Sequence, residues 1–171
     1  MILKHLSIIN FKNLSSVELD FSPKVNCFVG ANGMGKTNVL DAIYYLSFLK
    51  SSIYTQDSLN IKHNENFFII QGDYVSTNGK TETVACSMKA GSHKHVKKNQ
   101  KEIRRFSEHI GSIPLILISP ADSLLVSGSS EERRRFMDMA ISQYNSSYLE
   151  CLIRYEKTLK QRNAILKQAQ D

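Results

Sequence analysis

Eight consecutive residues of this chain have the types and spacing that hold the phosphates of a nucleoside triphosphate. Residues 30–37 read Gly-Ala-Asn-Gly-Met-Gly-Lys-Thr, which is the G-x-x-x-x-G-K-[ST] pattern of a phosphate-binding loop. Glycines let the backbone turn tightly and bring its N–H groups to phosphate oxygens. The lysine supplies charge for the β- and γ-phosphates, and the threonine hydroxyl is a hard oxygen ligand for Mg²⁺. The predicted binding residues are Gly30, Ala31, Asn32, Gly33, Met34, Gly35, Lys36 and Thr37, with Thr37 as the metal ligand.

Such a loop needs a strand before it and a helix after it. Residues 24–29 are rich in β-forming types, so they predict a strand. Residues 37–49 have apolar side chains at helical spacing and contain no Gly or Pro, so they predict a helix whose positive end faces the loop. The alternative is a glycine-rich turn between two core elements.

The rest of the chain is predicted to begin with strands and end with helices. Further strands are expected at residues 1–10, 15–22, 67–74, 82–88 and 114–119, with a turn at 76–79 and a short helix at 106–110. Ser129 and Glu132 form a capping-box pattern ahead of a helix. A last helix, with an apolar stripe predicted to be packed, runs toward Asp171 without a Gly or Pro terminator, which predicts a chain that ends inside a longer helix.

Bulk composition excludes several classes of protein. The chain has 171 residues and is 42% hydrophobic, enough for one domain or a domain with an appendage. It contains no run long enough for a membrane span and no signal-peptide pattern. Its three cysteines are scattered without metal-binding spacing, which favours reduced thiols and a cytoplasmic location.

The positive charge of the chain is concentrated in one segment. The net charge is +6, and residues 89–105 hold seven Lys and Arg against one acid, Glu102. Such a cluster suits the phosphate backbone of nucleic acid, although it also suits an exposed, lysine-rich sheet edge that resists aggregation. The predicted DNA contacts are Lys94, Lys97, Lys98, Lys101, Arg104 and Arg105.

Four segments together resemble one protein family. The loop has the G-x-N-G-x-G-K-[ST] form of ATP-binding-cassette heads of the SMC, Rad50 and RecF kind, and residues 10–14, 37–47 and 118–138 are similar to the RecF family of DNA replication and repair proteins. The resemblance implies an α/β P-loop ATPase fold. It assigns residues 1–122 to a first, ATP-binding lobe with sheets around the P-loop helix, and residues 123–171 to the start of a helical second lobe.

The resemblance also implies a function and partners. RecF proteins bind ATP, Mg²⁺ and single-stranded or gapped DNA, dimerise with ATP at the interface, and load recombinase at gaps with RecO and RecR; no membrane is involved. The family is about twice this long, and its Walker B acids and signature lie in the second half. This chain alone is therefore expected to bind ATP weakly or not at all and to hydrolyse none; no catalytic residue is assigned.

Several single residues have two interpretations each. Lys12 is either a phosphate contact, as the family resemblance implies, or a solvated turn lysine. Asp122 follows an apolar run and is a candidate ligand of Mg²⁺ or water, although residues 119–121 separate it from that run. Residues 126–131 mimic a cassette signature at a helix start, and the arginines at 133–135 are either DNA or partner contacts or a solvated helix face.

Other functional classes remain open from the residues alone. A small P-loop kinase acting on a metabolite would use the same loop, but the sequence offers no evident acidic residues for an acceptor. A GTPase is disfavoured because no N-K-x-D motif occurs. A binding module without catalysis is the third alternative.

Overall fold

A computed structural model describes residues 1–168, except for the side chain of Ala121. The chain divides into two compact units, Met1–His109 and Ile110–Asp171. Within the described part, no helix is both long and apolar enough to cross a membrane.

The first unit is built on one antiparallel sheet in the order β2-β1-β3-β4-β5-β6. Alternating apolar residues explain the strands, because side chains along a strand point to opposite faces. The predicted strands at 1–10, 15–22, 67–74 and 82–88 are confirmed, and so is the turn between the last two. The strands are β1 (Ile2–Phe11), β2 (Leu14–Asp20), β3 (Phe67–Val75), β4 (Thr81–Lys89), β5 (His95–Lys98) and β6 (Lys101–Glu102).

One helix of this unit, α1 (Lys36–Phe48), contacts β1, β3 and β4. Phe11, Tyr45 and Phe68 are fully buried and meet edge to face, with ring centroids 5.4–5.9 Å apart. Burying each such ring contributes about 1.5–3 kcal/mol. The helix that starts at the phosphate loop is therefore fixed to the sheet by its aromatic core.

The C-terminal end of α1 is held by two side chains that follow β4 in the chain, those of Lys94 and His109. Leu49 ends the helix at φ 54°, and its N–H donates to Tyr45 O. Lys94 Nζ donates to Leu49 O, and His109 Nε2 lies 2.6 Å from Leu46 O. These contacts satisfy carbonyl groups that a helix end leaves without partners. A 3-10 helix at Asp57–Asn60 and a second at Phe106–Glu108, shorter than the helix predicted there, complete the unit.

The second unit is mainly helical. A 3-10 helix at Pro120–Ser123 leads into α2 (Leu124–Ser127), followed by α3 (Ser130–Tyr144) and α4 (Ser146–Gln168). The capping box of Ser129 and Glu132 at the start of α3 is confirmed. The prediction of a packed stripe on α4 is wrong for the residues described, since none of them is buried.

Two predicted strands are absent. Residues 24–29 and 114–119 are irregular and largely exposed, with Val29 at 90% and Ile118 at 80% exposure. No strand among residues 1–168 pairs with either run. An apolar, β-prone run becomes a strand only where a neighbour completes its ladder of hydrogen bonds, so local pattern alone predicted these two wrongly.

Candidate nucleotide-binding site

The predicted phosphate loop lies between the exposed run 24–29 and the first turn of α1. Gly33 and Gly35 have φ values of 82° and 98°, in the left-handed region that favours glycine. Residues 31–34 are exposed to solvent, and no side chain caps the N-terminus of α1. The first backbone N–H groups of the helix are therefore open to an external anion.

Lys36 closes the loop on itself. Its Nζ donates to Gly30 O and to Ala31 O, each at 2.8 Å. The ammonium group thus lies against the backbone of the loop, beside residues 31–34, which are exposed to solvent. A phosphate placed at the loop would meet a positive charge that is already in position.

Thr37 supplies a hydroxyl oxygen suited to Mg²⁺ at the start of the helix. It is exposed, in the first turn of α1 beside Lys36. Magnesium in nucleotide sites is commonly bound through one or two protein oxygens, with phosphates and water completing the octahedron. The residues present fit that arrangement, and no group of three His, Cys, Asp or Glu side chains able to hold a metal occurs in the described part of the chain.

The turn between β1 and β2 packs against the loop, which sequence reasoning did not foresee. Asn13 Nδ2 donates to Gly33 O at 2.8 Å, and Asn38 Nδ2 donates to Asn13 Oδ1 at 2.7 Å. A Cβ added at Gly35 would lie 2.5 Å from Leu14 Cδ2. The loop is thus held from inside by its own lysine and from outside by this turn.

Lys12, in the same turn, is bound to α1. Its Nζ lies 2.6 Å from Asp41 Oδ2, and the side chains of Lys12 and Asp41 are 6% and 1% exposed. The ammonium group also donates to Ser51 Oγ and lies 4.6 Å from the centre of the Tyr54 ring. Burial alone would raise the pKa of the Asp41 carboxyl, but hydrogen bonds from Lys12, Ser52 and Ser51 outweigh it and lower that pKa.

An open cleft of about 480 Å³ adjoins the turn and the first turn of α1. Its volume lies in the range of small-molecule sites. Its walls combine amides and cations with apolar side chains: Lys12, Asn13, Asn38, Tyr54, Leu59, Ile61, Lys62 and His63.

The predicted DNA-binding residues divide into two groups. Lys94 is 15% exposed and pairs with Asp57 at 2.7 Å, besides its bond to Leu49 O. Lys98 pairs with Glu82 at 2.8 Å. The remaining four are exposed on β5, β6 and the segment that follows: Lys97, Lys101, Arg104 and Arg105.

Asp122 and the neighbouring candidates belong to the second unit, where they make local contacts. The Asp122 carboxylate accepts from the Ser119 N–H at 2.5 Å, and its own N–H donates to Ser119 O. Residues 126–131 contain the end of α2, the N-cap residue Ser129 and the first residues of α3. Arg133 donates to Gly128 O at 3.0 Å, and so it binds the backbone of that same segment.

Comparison with known proteins identifies a family that matches the whole chain. The chain matches the AAA ATPase domain family over residues 1–171. It is 59% identical over 167 residues to the DNA replication and repair protein RecF of Bacteroides thetaiotaomicron, a match that covers 98% of this chain and 45% of that protein. The chain thus spans about half the length of the curated relatives it matches.

Solved structures of RecF and of an SMC ATPase share the fold of this chain. The recombination mediator protein RecF-ATP of the RecFOR pathway superimposes with a TM-score of 0.90 at 30% identity, covering 98% of this chain and 45% of that one. An SMC ATPase, studied for ATP-driven dimerisation and DNA-stimulated activation, gives a TM-score of 0.68 at 19% identity over 81% of this chain and 99% of that one, and shows the fold alone. The chain therefore belongs to the AAA ATPase domain family, and over its length it resembles RecF in sequence and fold.

Proposed function

We propose that this chain binds ATP with Mg²⁺ on residues 30–37, as the nucleotide-binding part of a RecF-like protein of recombinational DNA repair. The observation that carries the proposal is the position of Lys36, whose Nζ lies within the loop on Gly30 O and Ala31 O. The ammonium group meets the phosphates, and the Thr37 hydroxyl holds the metal. Mg²⁺, when bound, neutralises charge on the phosphates.

The cleft beside the loop is the proposed place of the nucleoside. It shares Asn13 and Asn38 with the surroundings of the loop, and Tyr54, Leu59 and Ile61 offer apolar surface. Lys12 stays a proposed phosphate contact, and that role requires its ammonium group to leave Asp41. Asp122 likewise stays a proposed ligand of metal or water, in competition with its bond to the Ser119 N–H.

Isothermal titration calorimetry with Mg-ATP tests the binding. The wild type is expected to bind weakly, and Lys36→Ala is expected to abolish binding because the phosphates lose their charge partner. Lys80→Ala is the matched control, since Lys80 is an exposed lysine beside the turn between β3 and β4. Equal binding by wild type and Lys36→Ala, or no binding by the wild type at millimolar ATP, would overturn the proposal.

Hydrolysis and assembly are proposed for the longer protein. Positioning of the attacking water needs an acidic or amide group, and charge at the γ-phosphate needs a stabilising group. Apart from the proposed contact of Asp122 with metal or water, neither role is assigned to a residue of this chain, so its own turnover is expected to be negligible. ATP-dependent homodimerisation and association with RecO and RecR are proposed from the resemblance, and sedimentation with and without ATP tests the first of these.

DNA binding is proposed for the exposed basic residues of β5, β6 and the following segment. Four basic side chains are exposed in this segment: Lys97, Lys101, Arg104 and Arg105. The one acidic residue among residues 95–105 is Glu102, and its carboxylate is bonded to His95 at 2.9 Å. Contacts of this kind read the phosphate backbone and weaken steeply with salt. Binding of a labelled single strand that does not change with salt would contradict the proposal.

A further inference from the structure

The carbonyl groups of the phosphate loop are held from two directions. Lys36 Nζ binds Gly30 O and Ala31 O in the first half of the loop. In the second half, Gly33 O accepts a hydrogen bond at 2.8 Å from Asn13 Nδ2, which lies in the turn between β1 and β2. Asn13 lies twenty residues before Gly33, and the phosphate-loop pattern does not include it.

The orientation of the Asn13 amide follows from its partners. A carbonyl oxygen only accepts, so the atom facing Gly33 O must be the NH₂ group of Asn13. The oxygen of the same amide then faces Asn38, whose Nδ2 donates to it at 2.7 Å. Both ends of the Asn13 amide are therefore used, and its orientation is determined by chemistry.

The bond to Gly33 O controls a peptide plane. Because a trans peptide is planar, the N–H of Met34 points away from Gly33 O. Holding that oxygen toward Asn13 points the Met34 N–H in the opposite direction within the same plane, away from Asn13. Residues 31–34 are exposed to solvent in this stretch. Gly33 has φ 82° and no Cβ, so little in its own backbone prevents this peptide from rotating.

Asn13 is itself held in place. The preceding residue, Lys12, is bonded to Asp41 of α1, and its N–H donates to Asn60 O at 2.8 Å. The following residue, Leu14, is 7% exposed and lies beneath Gly35. In the nucleotide-free chain the turn is thus held by contacts with Asp41 and Asn60, which do not belong to the loop.

We infer that Asn13 is a positioning residue for nucleotide binding, which fixes the peptide between Gly33 and Met34 so that the Met34 N–H is presented to a phosphate oxygen before nucleotide arrives. The inference rests on the proposed function for its consequence, ATP affinity. Its structural part concerns the nucleotide-free chain and is measurable there.

The test compares three alanine variants of the 171-residue chain. Asn13→Ala removes the bonds to Gly33 and Asn38, whereas Asn38→Ala removes only the second of these. Asn78→Ala is the control for losing a turn asparagine elsewhere, because Asn78 accepts from the Lys80 N–H. Asn13→Asp keeps an acceptor for Asn38 and lacks the donor for Gly33, and it replaces Asn13→Ala if that variant fails to fold.

Two readouts are measured. Without nucleotide, ¹⁵N relaxation at the Met34 amide is expected to show an order parameter of about 0.85 in the wild type and below about 0.6 in Asn13→Ala. Mg-ATP affinity is expected to fall about 3- to 10-fold, the equivalent of one net hydrogen bond. Asn38→Ala and Asn78→Ala are expected to leave Met34 rigid.

A rigid Met34 amide in Asn13→Ala, or equal loosening in Asn38→Ala, would overturn the inference. The relaxation result needs no ATP. If the wild type fails to bind ATP, the proposed function fails, while the Met34 amide still decides whether Asn13 positions the loop.

Discussion

Lys12 and Asp41 form a buried ion pair that joins the turn between β1 and β2 to α1, the helix that begins at Lys36. Their charged atoms are 2.6 Å apart, and the side chains are 6% and 1% exposed. Asp41 also accepts from Ser51, from Ser52 Oγ and from the Ser52 N–H. One carboxylate thus joins the turn, α1 and the segment after α1, so the support of the site is built around it.

Asp41→Asn is expected to destabilise the chain by about 3–5 kcal/mol, because the Lys12 ammonium would stay buried without its counter-charge. Lys12→Met is expected to cost less, since Ser51 and Ser52 still bind the carboxylate. Urea denaturation measures both. Glu102→Gln, which breaks an exposed pair with His95, is the control and is expected to change little. Equal stability of Asp41→Asn and wild type would show that the pair is dispensable.

His5 and His109 are expected to titrate on opposite sides of pH 6.5. Hydrogen bonds to Asp20 and Glu18 raise the pKa of His5, whereas burial lowers the pKa of His109 despite its bond to Leu46 O. NMR titration of the imidazole protons measures both. Asp20→Asn should lower the pKa of His5 toward 6.5 and leave that of His109 unchanged.

The two histidines also affect stability with opposite signs. The contribution of His5 is present below pH 6.5 and is lost as the pH rises through its raised pKa. That of His109 is present above pH 6.5 and is lost as the pH falls through its lowered pKa. A His109 that titrates above 6.5 would contradict this assignment.

Gly35→Ala is expected to harm both stability and nucleotide binding, whereas Gly79→Ala harms stability alone. Each glycine has a positive φ, which costs a non-glycine residue about 1–2 kcal/mol. At Gly35 the new Cβ would also lie 2.5 Å from Leu14 Cδ2, while at Gly79 it would meet nothing within 4 Å. Urea denaturation and Mg-ATP titration separate the two effects. A Gly35→Ala variant no less stable than Gly79→Ala would show that the Leu14 side chain moves aside for the new Cβ without a measurable loss of stability.

The loop, the strands β1 to β4, α1 and the capping box were predictable because each depends on local residue types. The eight loop residues carry their chemistry in their own spacing, and strand alternation is visible without a partner. The runs at 24–29 and 114–119 were predicted wrongly because a strand requires a neighbour that is distant in sequence.

The support of the site was not predictable for the same physical reason. Asn13, Asn38 and Asp41 act through contacts between segments about 25 to 30 residues apart. A polar residue in a tight turn has the same local signature whether it is solvated or bonded to a distant backbone. The one signal for Asn13 in the sequence is that it lies within residues 10–14, a segment that resembles the RecF family.

The basic segment should separate into structural and DNA-binding lysines. Lys94→Met is expected to cost about 1–3 kcal/mol, because Leu49 O and Asp57 lose their donor in a part-buried place. Lys97→Met is expected to leave stability unchanged, since its side chain is exposed. Fluorescence anisotropy with a labelled single strand, over a range of salt, measures binding of each folded variant.

If Lys97 contacts a phosphate, Lys97→Met should reduce the slope of log affinity against log salt by about 0.7, the value for one single-strand contact. Lys94→Met should keep the wild-type slope, because its ammonium group is already engaged with Asp57. A lower slope in Lys94→Met with no loss of stability would reverse the assignment, and it would mean that Lys94 leaves α1 to bind DNA. Equal slopes in all three proteins would remove Lys97 from the DNA-binding surface.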